Sequence, residues 1–112
     1  MAVKQTAGRD TLGQFAPKFA QLNDDVLFGQ VWNRTDKLSL RDRSLVTVVA
    51  LLAQGLTDSS FQYHLATARQ NGVTREELAE VLTHAAFYVG WPKAWAAFRM
   101  AKEVWAEEAE EE

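Results

Sequence analysis

The fold is first visible in residues 39–55, which read SLRDRSLVTVVALLAQG. Ser39 and Asp42 have the three-residue spacing of a capping box, in which side chains satisfy the free N–H groups at a helix start. Apolar residues then recur at helical spacing, at positions 45, 48, 49, 52 and 53. Gly55 follows as a residue suited to ending a helix. This stretch therefore predicts an amphipathic helix with one buried face.

Two further helices have equally clear boundaries. Thr57 or Asp58 can cap a helix whose apolar residues repeat on one face until Gly72, which offers a left-handed stop. Thr74 and Glu77 then form a second capping box. Because apolar side chains recur every three or four residues after each start, each helix is expected to bury one face.

A last helix is expected after Gly90. Pro92 fits the first turn of a helix, where its missing N–H is harmless. The apolar pattern then continues through Trp105.

The signals upstream of these helices are weaker. Residues 1–8 are polar and expected to be mobile, and the apolar residues that follow suggest short helices broken near Pro17 and Asn23. Together the patterns predict an all-α fold, a helical bundle of five to six helices with short connections. The whole chain, residues 1–112, is expected to form a single domain.

The chain contains no cysteine. This excludes thiol nucleophiles, disulfides, iron–sulfur clusters and most structural zinc sites. No apolar run approaches the roughly 20 residues of a membrane span, and none is arranged as a signal peptide. We therefore expect a cytoplasmic protein with no membrane partner.

The negative charge is concentrated at the C-terminal end. The formal net charge is −3, yet residues 107–112 alone contain five of the 15 acidic residues, which leaves 12 basic and 10 acidic side chains elsewhere. Because nucleic-acid binding needs clustered Lys and Arg, no nucleic-acid partner is expected. The acidic run is interpreted as a solvated end of the last helix, with a partner-binding tail as the alternative.

Four tryptophans are a large aromatic content for so short a chain. Trp91, Trp95, Phe98 and Trp105 can share one stripe of the last helix, because most of their spacings are three, four or seven residues. One interpretation makes this stripe part of the core. The other makes it a seam between subunits, where aromatic residues are enriched.

The candidates for acid–base chemistry are the two histidines, His64 and His84. His84 lies four residues before Tyr88, on the same helix face, and Tyr63, Tyr88 and Trp91 can supply a partly dry pocket wall. An imidazole with a pKa near about 6.5 suits proton transfer at neutral pH. The alternative is that each histidine is a packing residue. No zinc site is expected, because the chain has only two histidines and no clear carboxylate companion for them at metal-ligand spacing.

Four segments together carry a family resemblance. They read LSLRDRSLVT (residues 38–47), HLATARQNGVT (64–74), ELAEVLTH (77–84) and AFYVGWP (86–92). In this combination the chain resembles the carboxymuconolactone decarboxylase family, within the alkylhydroperoxidase D-like superfamily, over about residues 38–102. The resemblance implies an all-helical fold that assembles into rings, homotrimers or homohexamers, with pockets near subunit boundaries.

The resemblance implies two different chemistries, of which one requires cysteines. The alkylhydroperoxidase D branch is a peroxidase whose Cys-x-x-Cys pair is followed, after three residues, by a histidine. With that histidine on His64, the cysteine positions fall on Thr57 and Ser60, and the upstream glutamate of the motif falls on Leu45. Hydroxyls cannot cycle through sulfenic acid and disulfide, so peroxidase activity is not expected.

The decarboxylase branch resembles the chain better, since His64 and the corner from Tyr88 to Pro92 are retained without cysteines. It implies a lyase of aromatic-acid degradation that releases carbon dioxide from 4-carboxymuconolactone, with no metal or organic cofactor. The electrons left by the carboxylate spread into the lactone carbonyl, and the resulting dienolate is protonated on carbon. Our hypothesis is that His64 donates this proton.

Substrate binding is assigned to residues around this histidine. Arg43 is the candidate for holding a substrate carboxylate, and a surface ion pair with Asp42 or near Asp10 is the alternative. The other substrate-binding candidates are His84, Tyr88 and Trp91.

Family resemblance leaves the substrate open, because one scaffold hosts many reactions. A second enzyme hypothesis is a decarboxylase or isomerase-like proton-transfer catalyst for another small lactone or oxo acid. The third hypothesis is of a different class. It makes the chain a non-catalytic, oligomeric small-ligand binding protein in which His64 only packs.

Overall fold

The computed structural model describes residues 2–106, and all regular structure within this range is helical. This confirms the all-α prediction. The chain forms two compact units, one ending at Leu40 and the other beginning at Arg41, and the single-domain expectation stays a prediction. None of the described helices is both long and apolar enough to cross a membrane. The elements are α1 Ala7–Leu12, α2 Pro17–Gln21, a π-helix Leu22–Val31, α3 Leu40–Ala53, α4 Ser59–Gln70, α5 Arg75–Val89 and α6 Trp91–Val104.

In the first unit, Asp24 holds the start of α1 against the π-helix. Its nearly buried carboxylate accepts hydrogen bonds from the backbone N–H groups of Gly8, at 2.9 Å, and Arg9, at 3.0 Å. The Arg9 guanidinium donates to both carboxylate oxygens of Asp25 at 2.7 Å. Helix α1 begins at Ala7. Its first two residues therefore belong to the segment 1–8, which was predicted to be mobile because it is polar.

The predicted helix boundary at Pro17 is confirmed, and the predicted break near Asn23 is wrong. Pro17 opens α2, and the backbone passes directly from α2 into the π-helix at Leu22, so Asn23 lies inside the π-helix. Asparagine disrupts a helix when its side chain bonds the backbone in place of the helical partner. Here the Asn23 amide donates to the Asp24 carboxylate at 3.0 Å instead.

In the second unit, local signals fix the helix ends as predicted. Asp58 caps α4 by accepting from the N–H groups of Ser60, at 3.0 Å, and Phe61, at 3.3 Å. At the other end Gly72 has φ +98°, and the following N–H of Val73 donates to the carbonyl of Ala68 at 3.0 Å. This is a Schellman ending, which requires a left-handed residue and so favours glycine.

The predicted capping box of α5 is also present. The Glu77 N–H donates to the Thr74 hydroxyl at 3.1 Å, and the Thr74 N–H donates back to the Glu77 carboxylate at 3.0 Å. That backbone hydrogen bond from Thr74 lowers the pKa of Glu77 despite the opposing effect of burial. Glu77 also forms an ion pair with Arg41, so this box connects the start of α5 to the start of α3.

The core of the second unit takes side chains from all four of its helices. Leu52, Phe61, Leu82 and Ala97 come from α3, α4, α5 and α6 in turn, and each is 0% exposed. Burial of a large apolar side chain stabilises the fold by about 1.5–3 kcal/mol. Only Gly90, at φ +113°, separates α5 from α6.

The aromatic stripe predicted on the last helix divides between core and surface. Trp105 is 2% exposed, and its indole N–H donates to the Val73 carbonyl at 3.3 Å. Trp91 and Trp95 are each 56% exposed. The core interpretation is therefore correct for Trp105, while Trp91 and Trp95 are available at the surface of the single chain.

Candidate functional site

A surface groove of about 620 Å³ lies along α5 where it faces α3. We call it the histidine groove. Its lining residues are Val49, Glu80, Val81, His84, Ala85, Tyr88 and Val89. Four of the seven are aliphatic or alanine side chains that form an apolar floor, and the other three carry protic groups.

The three protic side chains of the histidine groove stand on successive turns of one α5 face. His84 stacks on Tyr88 with ring centroids 5.3 Å apart and planes inclined by 30°. Both side chains are exposed, Tyr88 to 80%. Glu80 lies one turn before His84. The four-residue spacing of His84 and Tyr88 predicted this pair correctly. Glu80 has the same spacing from His84 and was not predicted as a site residue.

His64 lies in the middle of α4 and does not line the histidine groove among the described residues. The side chain is half-buried, its Nδ1 atom is shielded from solvent, and the Tyr63 ring meets it edge-on at 5.0 Å. Burial disfavours the charged imidazolium and lowers the pKa of His64 below its ordinary value of 6.5. Burial therefore favours the neutral imidazole of His64 in the single chain.

Arg43 and Trp91 lie at two other places. Arg43 is half-buried on α3, where its carbonyl accepts a hydrogen bond from the Thr47 hydroxyl at 2.8 Å. Trp91 meets Phe87 edge-on at 5.7 Å, at the start of α6. Trp91 also lines a smaller groove of about 270 Å³ between α5 and α6, together with Trp95. We call this second site the tryptophan groove.

The single chain thus brings together only His84 and Tyr88 of the five predicted site residues. His64, Arg43 and Trp91 are separate from the histidine groove. Within residues 2–106, no three or more His, Asp and Glu side chains cluster in a way that could hold a metal ion. What the groove itself offers is proton transfer and hydrogen bonding beside an apolar surface.

Comparison with known proteins identifies the family of this sequence. The sequence model of the carboxymuconolactone decarboxylase family matches residues 17–103. The chain belongs to the carboxymuconolactone decarboxylase family. The match begins at Pro17, so the family region includes α2 and the π-helix as well as the segments that carried the resemblance.

Two relatives align with most of this family member. The 4-carboxymuconolactone decarboxylase of Acinetobacter baylyi is 39% identical over 95 residues, which span 85% of this chain and 69% of the relative. An uncharacterized 15.0 kDa protein of Paracoccus denitrificans is 32% identical over 88 residues, which span 78% of this chain and 65% of that protein. The chain therefore covers about two thirds of the length of each relative.

Proposed function

We propose that this chain is a carboxy-lyase that releases carbon dioxide from 4-carboxymuconolactone or a related small lactone or oxo acid, without a metal or organic cofactor. The observation that carries the proposal is the 39% identity with a 4-carboxymuconolactone decarboxylase across 85% of the chain. The histidine groove supports it, because a site of about 620 Å³ falls within the usual range for small-molecule ligands.

The proposed reaction has three requirements that the protein must meet. The bond between the ring carbon and the carboxylate breaks, and its electron pair moves through the ring double bond into the lactone carbonyl. Carbon dioxide leaves, and the dienolate then gains one proton on carbon, so atoms and electrons balance. The protein must hold the acid, stabilise the negative oxygen of the dienolate and deliver the proton.

The histidine groove suits the second of these requirements, stabilising the dienolate oxygen. An imidazole N–H of His84 and the hydroxyl of Tyr88 donate hydrogen bonds to the developing dienolate oxygen. The apolar floor, with Val49 and Val81, favours the step because a charged carboxylate leaves as neutral carbon dioxide. Glu80, one turn from His84, adds a hydrogen-bond acceptor to the same groove.

We assign His64 as the donor of the proton that the dienolate gains on carbon. Arg43 holds a substrate carboxylate, and Trp91 contacts the lactone ring of the substrate. These three residues are separate from the histidine groove in one chain. We therefore also propose that the protein forms a homotrimer or homohexamer whose subunit boundaries complete the site. The exposed aromatic side chains Phe87, at 76%, and Trp95, at 56%, support a subunit contact near the corner between α5 and α6.

The test is to mix purified protein with 4-carboxymuconolactone and follow carbon dioxide release. We expect His64→Gln to lose turnover while its oligomeric state by light scattering stays that of the unchanged protein. His84→Gln is the matched variant in the histidine groove, and it should lose turnover and weaken substrate binding together. If His64→Gln retains full turnover, the assignment of the proton to His64 is wrong.

The same measurement tests the alternative function. Substrate that binds to correctly assembled protein without releasing carbon dioxide would replace the lyase with a non-catalytic binding protein. A related lactone or oxo acid that releases carbon dioxide when 4-carboxymuconolactone does not would keep the lyase and change its substrate.

A further inference from the structure

The π-helix Leu22–Val31 carries apolar side chains on two of its sides. One side is buried, where Phe28 and Trp32 stack with ring centroids 5.9 Å apart. The other side is exposed in the single chain. We call it the π-helix face, and it consists of one residue of α2 and four of the π-helix, each between 37% and 59% exposed: Phe19, Leu22, Val26, Leu27 and Val31.

The spacing of the π-helix face follows from the geometry of a π-helix. Its hydrogen bonds join residues five positions apart, so side chains four or five positions apart lie on the same side. Val26 and Leu27 follow Leu22 by four and five positions, and Val31 follows Val26 and Leu27 by five and four. Apolar side chains on both sides are typical of a helix that is buried on both. The exposed face therefore calls for a covering surface.

The second unit has an exposed apolar surface of complementary shape. The tryptophan groove is a concave site of about 270 Å³, and Trp91 and Trp95 line it. Phe87 extends this surface, since its ring meets Trp91 edge-on at 5.7 Å. Arg99 lies over the Trp95 ring at 5.5 Å, and Trp95 is nevertheless 56% exposed. A helix face forms a ridge, and ridges pack into grooves, whereas two facing grooves would leave both hollow.

The areas of the two surfaces match what a stable contact needs. Phe87, Trp91 and Trp95 are each more than half exposed and together present roughly 400 Å². The five side chains of the π-helix face present on the order of 300–400 Å². A standard interface buries about 800 Å² per partner, of which somewhat more than half is apolar. Each surface therefore supplies most of the apolar part of one side of such an interface.

We propose that the π-helix face of one copy of this chain packs into the tryptophan groove of a second copy. The inference rests on the proposed homo-oligomer and names the two surfaces that join its subunits. Leu22 and Val26 of one copy pack against the Trp91 and Trp95 rings of the other. The contact is heterologous, because each copy offers a ridge to one neighbour and a groove to another. Such contacts close into a ring when the rotation between copies allows it.

Two variants disable one surface each. Leu22→Glu places a charge on the π-helix face, where the contact would bury it without a partner. Trp95→Ser removes an indole ring from the tryptophan groove. Both residues are exposed, so the helical circular dichroism and the thermal unfolding temperature should not change. Sedimentation should show that each variant raises the dissociation constant between subunits by about thirtyfold or more.

The two variants are then mixed at a concentration where each alone is monomeric. The Trp95→Ser copy keeps its π-helix face, and the Leu22→Glu copy keeps its tryptophan groove. The mixture should therefore form a two-chain complex that neither variant forms alone. This complex cannot grow, because its two remaining surfaces are disabled. A contact between identical surfaces predicts instead that one variant pairs with itself and that mixing adds nothing.

Val46→Glu is the matched control, since Val46 is an aliphatic residue, 62% exposed on α3, that belongs to neither surface. It should leave the assembly unchanged. Leu27→Glu is a second variant of the π-helix face and should repeat the Leu22→Glu result, including the complex with Trp95→Ser. A folding defect confined to Leu22→Glu therefore does not leave the proposal undecided.

Four results would overturn the proposal. They are full assembly of both variants of the π-helix face, an equal loss of assembly in Val46→Glu, self-pairing of one disabled variant, and a mixture that stays monomeric. An unchanged protein that is monomeric would remove the proposed homo-oligomer together with this contact. Failure of the lyase proposal gives a different signature, namely no carbon dioxide release from a protein that assembles and whose variants pair when mixed.

Discussion

His84 and Tyr88 stack face to face on adjacent turns of α5, with ring centroids 5.3 Å apart. Both residues line the histidine groove, and the stack restricts the rotamers that each exposed side chain would otherwise sample. Such a pair can supply two hydrogen-bond donors to the same groove. This is the requirement for stabilising charge that develops on a single substrate oxygen.

Tyr88→Phe should therefore reduce carbon dioxide release while preserving the stack. We expect a loss of about tenfold to a hundredfold in kcat, at or below the low end for a lost oxyanion donor because the groove is exposed. The thermal unfolding temperature should not change, since Tyr88 is 80% exposed. Unchanged turnover in Tyr88→Phe would remove the hydroxyl from the proposed mechanism.

The pH dependence of turnover follows from the burial of His64. Burial lowers the pKa of His64 below 6.5, so the fraction that is protonated in the free protein falls as pH rises through that lowered pKa. If His64 donates the proton, kcat/KM should decrease about tenfold per pH unit above that pKa. A profile measured between pH 5 and 8 that stays flat would contradict the assignment.

The same burial predicts a pH dependence of stability. In the unfolded chain His64 binds a proton near its ordinary pKa of 6.5, whereas the folded state resists protonation until lower pH. Stability is therefore complete above about pH 6.5 and decreases as pH falls toward the lowered pKa. Urea unfolding should show a steeper loss between pH 6.5 and 5 in the unchanged protein than in His64→Gln. Parallel curves would mean that His64 is solvated.

Thr74→Ala should destabilise the second unit by about 1 kcal/mol, because it removes the hydroxyl that accepts from the Glu77 N–H at 3.1 Å. The matched control is Thr83→Ala, in the exposed middle of α5, where the hydroxyl only donates to the Ala79 carbonyl. That change should stay within about 0.5 kcal/mol. Chemical denaturation compares the two, and equal effects would show that the capping box contributes little.

Trp95→Ser and Trp105→Phe should separate assembly from folding. Trp95 is 56% exposed, so Trp95→Ser should lower the oligomeric state in sedimentation experiments and leave the helical circular dichroism unchanged.

Trp105 is 2% exposed and its indole N–H donates to the Val73 carbonyl, so Trp105→Phe should lower the free energy of unfolding by about 1–3 kcal/mol. A protein that is already monomeric at micromolar concentration would refute the subunit proposal.

The helix boundaries of the second unit could be predicted because each depends on groups within a few residues. The Thr74 hydroxyl finds its partner three residues away, and Gly72 ends α4 through its own backbone preference. The break expected near Asn23 did not occur, since the Asn23 amide bonds to Asp24, and Asp24 in turn is fixed by α1. That outcome depends on a contact between segments that are distant in sequence.

By itself, the sequence determined the helical class, the family and the pairing of His84 with Tyr88, because all three depend on local spacing or on residue identity. Only the tertiary structure decided that Val49 of α3 shares a groove with them and that His64 does not line it. It also buried Trp105 at the end of α6 and left Trp91 exposed at the start of that helix. The physical reason is that helical periodicity defines the faces of a helix, while packing against other helices selects which face is buried.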